Sequence, residues 1–191
     1  MPPSLRRSCI LIVALGLLSL AGPAPSSADP APADSSLQQI AEAALPASIE
    51  DLPREFVTIT KDAGPPDGYV GRIDAGYKID DTHTFKVAVE YHRPGNRRLK
   101  QRTRWHAQKK PFSTVQGHSV YKRAYGRVGS GVSVLIADGP VQTLVVIRSP
   151  RLLKKHRKKL PPDKRSDVPA PEAGLEGMDL SRLHSLAPRF Q

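Results

Sequence analysis

Cysteine is almost absent from this chain of 191 residues, and its one copy, Cys9, lies near the amino terminus. A domain that starts beyond that point has no disulfide and no thiolate zinc site. Aromatic residues are also scarce, at 5% of the sequence with a single tryptophan. A domain of this length must therefore be stabilised by burying mainly aliphatic side chains.

Long apolar runs are missing too. The run Ile10–Ala21 is too short to cross a membrane, which takes roughly 20 residues. Two arginines, Arg6 and Arg7, precede it and a Ser-Ser-Ala sequence follows it, which is typical of a signal peptide over residues 1–28. The Arg-Arg pair leaves twin-arginine export open as an alternative route. We expect an exported protein, periplasmic or extracellular, that begins near Asp29 and has no transmembrane segment after cleavage.

Acidic residues are missing between Glu90 and Asp138. Residues 91–165 contain 20 basic and 2 acidic residues, a net charge of +18. Residues 29–90 contain 5 basic and 12 acidic residues, a net charge of −7. This asymmetry indicates either a polyanionic partner or charge matching between two parts of the chain.

Composition changes divide the rest of the chain into segments. Residues 29–35, rich in Pro, Ala and Asp, are expected to form a disordered leader. A single α+β domain is expected over residues 36–160. A Pro-rich linker over 161–177 and a short C-terminal helix and tail over 178–191 should follow it.

Helices are predicted at both ends of the domain. Ser36 opens a capping box and Pro46 ends the first helix. Ser149 and Pro150 fit the N-cap and first position of a second helix, which runs to Leu160. We expect these short N- and C-terminal helices on one face of the sheet.

Alternating and continuous apolar runs predict an antiparallel sheet of about five to seven strands. The segments with these patterns are 55–61, 69–78, 84–92, 97–106, 118–125, 131–137 and 141–148. In 84–92, the face with Phe85 and Tyr91 should be buried and the face with Glu90 and His92 should meet water. Gly129-Ser130-Gly131 and Asp138-Gly139 are predicted turns.

The basic segment 97–106 is predicted to be a strand, because at a period of two its charges share one face. A turn at Pro94-Gly95-Asn96 would return it along strand 84–92, with Glu90 opposite Lys100. The candidate anion-binding residues of this region are Arg98, Lys100, Arg102, Arg104, Lys109 and Lys110. A second basic patch comprises Lys154, Lys155, Arg157, Lys158 and Lys159. The alternative is a charged surface that only keeps the protein soluble.

Residue patterns for catalysis are missing. The six histidines have neither His-x-His nor His-Glu-x-x-His spacing, and no Gly-x-Ser-x-Gly sequence occurs. Asp80 and Asp81 are adjacent and indicate a turn, while the glycines from Gly126 to Gly131 lack the Lys-Ser/Thr ending of a phosphate loop. We expect no enzymatic activity, no cofactor and no metal ion.

These observations favour an exported, non-enzymatic protein that binds an anionic envelope component. Anionic lipid, lipopolysaccharide or another polyanion are the expected partners, and nucleic acid is not, because the protein is expected outside the cytoplasm. A protein-interaction module that assists another exported protein through its sheet edge is the alternative.

Overall fold

An antiparallel sheet organises the residues that the computed structural model describes, which are 32–61, 69–125, 129–150 and 168–191. Within these ranges the sheet has eight strands, and a few short helices accompany it. The predicted α+β class is confirmed, but the sheet is larger than the five to seven strands expected. The predicted signal peptide, residues 1–28, lies outside the described residues.

The sheet consists of two four-stranded meanders that meet in the middle. The strands are β1 (Ser48–Ile49), β2 (Leu52–Lys61), β3 (Gly71–Lys78), β4 (Thr84–His92), β5 (Ser113–Val115), β6 (His118–Ala124), β7 (Gly129–Ile136) and β8 (Gln142–Pro150). Their spatial order is β1-β2-β3-β4-β8-β7-β6-β5, so β8 pairs with β4 at the centre. The helices are α1 (Pro32–Ala44), α2 (Arg97–Ala107) and α3 (Leu180–His184), with 3₁₀ turns at Pro171–Leu175 and Ala187–Phe190. Helix α2 lies in the connection between the two meanders.

One face of the sheet carries the main core. The predicted buried side of β4 is confirmed, since Phe85 and Tyr91 are fully buried. Side chains of α1 and α3, among them Leu37 and Leu183, belong to the same core cluster. The Tyr91 hydroxyl donates a hydrogen bond of 2.7 Å to the Leu183 carbonyl, so the polar atom that this ring buries is satisfied.

The opposite face of β4 meets water at Lys86, as predicted, but not toward the end of the strand, at Glu90 and His92. Glu90 is 1% exposed and His92 is 0% exposed. Helix α2 covers this face, with Leu99 in an apolar cluster that includes Leu144 and Val146 of β8. The prediction failed because the alternation of one strand gives no information about a helix that returns to cover it.

Residues 97–106 form most of helix α2 and not the predicted strand. Asn96 starts the helix, because its Oδ1 accepts hydrogen bonds from the backbone N–H groups of Arg98 and Leu99, at 2.9 and 3.1 Å. The predicted hairpin is therefore absent, and β4 pairs with β3 and β8. In the observed register Glu90 lies opposite Leu144 and not Lys100.

The ends of the domain also differ from the predictions. Helix α1 begins at Pro32, so residues 32–35 are helical instead of a disordered leader, and Ser36 is inside the helix rather than at its cap. Strand β8 runs through Ser149 and Pro150, which end a strand instead of starting a helix. The rest of that predicted helix, to residue 160, lies outside the described residues.

The described part of the predicted linker packs on the sheet. Pro171–Leu175 forms a 3₁₀ turn in which Gly174 and Leu175 are buried. A Cβ atom on Gly174 would lie 2.9 Å from atoms of both Phe85 and Ile147, so only glycine allows this close approach. Residues 161–167 are outside the described ranges. The predicted turn at Gly129-Ser130-Gly131 instead opens strand β7.

Candidate anion-binding groove

The candidate anion-binding residues of α2 lie on two sides of the helix. Residues four apart share a side of a helix and residues two apart do not. Arg98 and Arg102 are half-buried, whereas Lys100 and Arg104 are exposed. The single strand face on which all four were expected does not exist.

The remaining candidate residues do not extend this half-buried side. Lys109 and Lys110 are exposed and follow the end of α2. The second patch, with Lys154, Lys155, Arg157, Lys158 and Lys159, lies outside the described residues. Within the described ranges, the interior side of α2 is therefore where basic side chains meet the sheet.

A groove of about 290 Å³ lies between α2 and strand β6. It is lined by Arg98, Gln101, Arg102 and Trp105 of the helix and by Arg123 of the strand. The four helix residues recur at i, i+3, i+4 and i+7, which places them on one side of the helix. The groove thus combines three guanidinium groups with an amide and an indole ring.

Two of the three arginines in the groove have no carboxylate partner in the part of the chain that the structure describes. Arg98 Nη2 lies 3.0 Å from Glu90 Oε1. In the ranges the structure describes, no ion pair joins Arg102 or Arg123 to an acidic residue. Arg102 Nη1 is buried and has no hydrogen-bond partner among these residues. Neither positive charge is therefore balanced by a carboxylate of the described residues.

Cations continue across the same face of the sheet from Arg123. Arg123 lies opposite Gly131 of β7, Gly131 lies opposite Arg148 of β8, and Arg148 lies opposite Lys86 of β4. Directly opposed residues of antiparallel strands share a face. Arg123, Arg148 and Lys86 are all exposed, and we call them the cross-strand row. Arg123 belongs to both the groove and this row.

Tyr125 holds two members of the cross-strand row. The guanidinium carbons of Arg123 and Arg148 each lie 5.4 Å from the centre of its ring. Arg123 also lies 5.7 Å from the centre of the Trp105 ring. These cation–π contacts orient Arg123 without neutralising it.

Gly131 makes this arrangement possible. A Cβ atom there would lie 2.4 Å from the Ile147 carbonyl oxygen and 2.7 Å from Tyr125 Cε2. We expect Gly131→Ala to lower the free energy of unfolding by about 1–3 kcal/mol, because backbone or ring must shift. The substitution should also change the fluorescence of Trp105. A shift of the Tyr125 ring moves Arg123, which contacts both rings.

Gly139→Ala is the control for this prediction. Gly139 has a φ of 80° and nothing within 4 Å of its Cβ position, so alanine there is strained but meets no neighbour. Urea unfolding should show destabilisation in both variants, while the Trp105 emission should change in Gly131→Ala alone. An unchanged emission in Gly131→Ala would show that Tyr125 does not position Arg123.

A buried carboxylate, Glu90, lies beneath the start of α2. Its Oε1 is 3.0 Å from Arg98 Nη2 and 3.7 Å from Arg72 Nη1, and its Oε2 is 3.2 Å from His92 Nε2. Burial raises the pKa of Glu90, but the hydrogen bond to His92 and the charges of Arg98 and Arg72 outweigh it and hold the pKa below 4.5. The ionised carboxylate anchors Arg98 at the edge of the groove.

His106 forms the other buried contact of α2. Its Nε2 is 2.9 Å from Ser133 Oγ, and its ring stacks on Tyr121 with centres 4.0 Å apart. Burial lowers the pKa of His106 to about 4, and the positive charge of Arg102 acts in the same direction. The imidazole is therefore neutral at neutral pH and adds no charge to the groove.

This pKa predicts a loss of stability in mild acid. Because the folded-state pKa of His106 is about 4 and its ordinary value is 6.5, the unfolded chain binds more protons between these values. Above pH 6.5 His106 imposes no such penalty on the folded protein. As pH falls below that value, the free energy of unfolding declines, by about 2 kcal/mol between pH 7 and pH 5. Urea unfolding of the wild type and His106→Gln at both pH values checks this.

Comparing the variants with the wild type separates the effect of His106 on stability from the effects of the other titrating groups. The stability difference between pH 7 and pH 5 should be smaller in His106→Gln than in the wild type. His118→Gln, which changes a half-buried histidine of β6, is the control, and the stability difference should fall more in His106→Gln than in this variant. Identical pH dependence in all three proteins would contradict a neutral, buried His106.

The described residues outside the groove contain a side-chain-stabilised turn but no cluster suited to a metal ion. The predicted turn at Asp80 is confirmed, since its Oδ1 accepts hydrogen bonds from the backbone N–H groups of Thr82 and His83. Across the described ranges, no three His, Cys, Asp or Glu side chains are grouped to hold a metal ion. No helix in these ranges is long and apolar enough to span a membrane.

Sequence reasoning found part of the groove and missed the rest. Arg98 and Arg102 were candidates, whereas Gln101 and Arg123 were not. Compared with protein-family models, curated proteins and solved structures, the chain gives no match.

Proposed function

We propose that this is an exported, non-enzymatic protein that binds an anionic envelope component through the groove and the cross-strand row. The observation that carries the proposal is the meeting of Arg102 and Arg123 in one groove without a carboxylate partner among the described residues. The ring contacts of Arg123 and the half-burial of Arg102 reduce the ordering of side chains that binding an anion requires.

The distribution of charge supports an anionic partner. The chain has a formal net charge of +11, and its basic residues are concentrated between 91 and 165. A groove lined by charge of one sign focuses the electrostatic field and attracts ions of the opposite sign. Outside the cytoplasm, where we place the protein on the pattern of residues 1–28, anionic lipids and lipopolysaccharide are the accessible polyanions.

A purely solubilising role explains the groove less well. Charges that only keep a protein soluble gain nothing from being half-buried, and a buried donor without a partner costs about 1–3 kcal/mol. Arg102 Nη1 is such a donor among the described residues. A docking role for the sheet edge also has less support, because the edge strands β1 and β5 contain only 2 and 3 residues.

Binding measurements with two charge-matched variants test the proposal. Purified protein is titrated with anionic vesicles, lipopolysaccharide and DNA at low and high salt. We expect binding to vesicles or lipopolysaccharide that weakens steeply with salt. Arg102→Gln/Arg123→Gln should lose most of it, whereas Lys100→Gln/Arg104→Gln, with the same loss of charge on the exposed side of α2, should keep most of it.

The alternatives give different results. Equal binding by both double variants would overturn the proposed site, and no salt-dependent binding to any anion would overturn the function. Preference for DNA over envelope components would assign a nucleic-acid partner instead.

Export is tested separately on protein recovered from outside the cytoplasm. Amino-terminal sequencing should give Asp29, and the recovered protein should react with no thiol reagent, because Cys9 is the chain's one cysteine. Recovery in the cytoplasm alone, with Cys9 intact, would contradict export.

A further inference from the structure

We infer that the groove recognises a phosphate monoester, a group with two negative charges on a tetrahedral centre and one organic substituent. The inference rests on the proposed function and specifies the chemical group that the anionic partner presents. Three features of the groove carry it: its remaining charge, the geometry of its donors and the apolar ring beside them.

The remaining charge matches a dianion. The groove is lined by Arg98, Arg102 and Arg123, and Glu90 offsets Arg98 through its contact of 3.0 Å. Two guanidinium charges are left without a partner among the described residues. A carboxylate, a sulfate ester or a phosphate diester carries one negative charge and would leave the other guanidinium unbalanced. A phosphate monoester, whose second pKa is about 6, balances both at neutral pH.

The donors suit the oxygens of a phosphate. Guanidinium groups present their N–H donors in a planar fork that matches two oxygens of one phosphate. The cation–π contacts of Arg123 with Trp105 and Tyr125 hold one such fork beside the groove. Arg102, from the facing helix, brings the second fork to the same groove.

The rest of the groove suits an organic substituent. The half-buried Trp105 provides an apolar wall beside the arginines, and the exposed Gln101 provides a donor and an acceptor. The volume of about 290 Å³ lies near the lower end of the range for small-molecule sites. The groove therefore fits one end group of a larger molecule, or a small phosphate ester, rather than a length of polymer.

The single tryptophan of the chain reports directly on this groove. Trp105 lines it, so its fluorescence and its indole N–H resonance follow occupancy without a label. Methyl phosphate is the probe, and dimethyl phosphate and methyl sulfate are monoanions of similar size. Titrations at pH 8 and constant ionic strength should show methyl phosphate binding at least tenfold more tightly than either monoanion.

Variants assign the signal to the groove. Arg102→Gln and Arg123→Gln should each weaken methyl phosphate binding about tenfold or more, and Lys100→Gln should change it less than twofold. Urea unfolding of each variant shows whether the fold is retained. Equal affinity for methyl phosphate and dimethyl phosphate would overturn the inference. It would also be overturned if the indole N–H resonance of Trp105 did not shift at about 20 mM methyl phosphate.

Vesicles of matched surface charge distinguish a phosphate monoester on a lipid from one on a soluble molecule. Phosphatidic acid presents a phosphate monoester and phosphatidylglycerol a diester. Stronger binding to phosphatidic acid, displaced by methyl phosphate, supports a lipid-borne group, and methyl phosphate binding without this preference supports a soluble ester. Salt-dependent, groove-dependent vesicle binding with no preference among phosphates leaves the proposed function in place and removes only the inference about the monoester.

Discussion

Replacing Glu90 with alanine should lower the free energy of unfolding by about 3–5 kcal/mol, the loss typical of breaking a buried ion pair from one side. Glu90 is 1% exposed and contacts Arg98 of α2, Arg72 of β3 and His92 of its own strand. Its removal leaves His92, which is fully buried, without its carboxylate partner. It also removes one carboxylate contact from each of Arg98 and Arg72.

Glu90→Gln and Asp74→Asn are the matched controls. Glu90→Gln keeps the shape and the hydrogen-bonding oxygen, so its loss should be smaller than that of Glu90→Ala. Asp74 also binds Arg72, with two contacts of 2.6 Å, but its side chain is 30% exposed. Because water still reaches this carboxylate and screens its pairing, Asp74→Asn should cost less than Glu90→Ala. Equal losses at Glu90 and Asp74 in urea unfolding would contradict the importance of burial.

The Glu90 prediction also depends on pH. The pKa of Glu90 in the folded protein is lower than 4.5, so the ionised carboxylate stabilises the fold above that value. This stabilisation is lost as pH falls through the folded-state pKa. The difference in stability between wild type and Glu90→Gln should therefore be full at pH 7 and should shrink below pH 4.5. A difference that grows in acid would mean that the folded state holds Glu90 protonated.

The strand pattern predicted the main core because every signal there agreed. In β4, aliphatic and aromatic residues alternate without interruption, and the predicted bounds Thr84–His92 match the observed strand. The predicted turn at Asp138-Gly139 is confirmed, since it lies in the connection between the apolar strands β7 and β8. Local pattern and tertiary packing favour the same structure in these segments.

Helix α2 was missed because the prediction followed charge instead of burial. Its basic side chains alternate in sequence, yet the two residues it buries are Leu99 and His106, seven apart. Asn96 was assigned to a turn, although asparagine is also among the best N-cap residues. Giving weight to the cap and to the spacing of Leu99 and His106 would have indicated the helix.

The groove itself required tertiary information. Arg123 comes from β6 and reaches α2 only because the second meander folds back to place β8 beside β4. No local pattern encodes that pairing. The spacing of Arg98, Gln101, Arg102 and Trp105 could have been recognised as one side of a helix, but only after the helix had been assigned.

The charge asymmetry of the sequence had two interpretations, and the structure bears on both. Internal matching occurs where Glu90, from the acidic segment, contacts Arg98, from the basic one. Internal charge matching is incomplete among the described residues, because Arg102 and the cross-strand row make no ion pair with a carboxylate there. Charge matching therefore explains how α2 is anchored, and the unmatched arginines are what an external anion would bind.

Replacing Leu99 with alanine should separate the stability of the fold from the integrity of the groove. Leu99 is 2% exposed and packs with Leu144, Val146 and Leu135 as the apolar anchor of α2. A buried Leu→Ala substitution costs about 2–5 kcal/mol. Because the other buried residue of α2 is the polar His106, the helix should loosen and the groove should widen. Anion binding, followed through Trp105, should fall together with stability.

Leu180→Ala is the control that gives this comparison its meaning. Leu180 is 0% exposed and belongs to the core on the opposite face of the sheet, away from α2. Its replacement should cost a similar amount, about 2–5 kcal/mol in urea unfolding. The folded fraction of Leu180→Ala should nevertheless keep wild-type affinity for anionic vesicles, because none of the residues that line the groove belongs to that core cluster. If both variants lost affinity in proportion to their stability, the groove would depend on the whole fold rather than on the docking of α2, and its assignment as a distinct anion site would not stand.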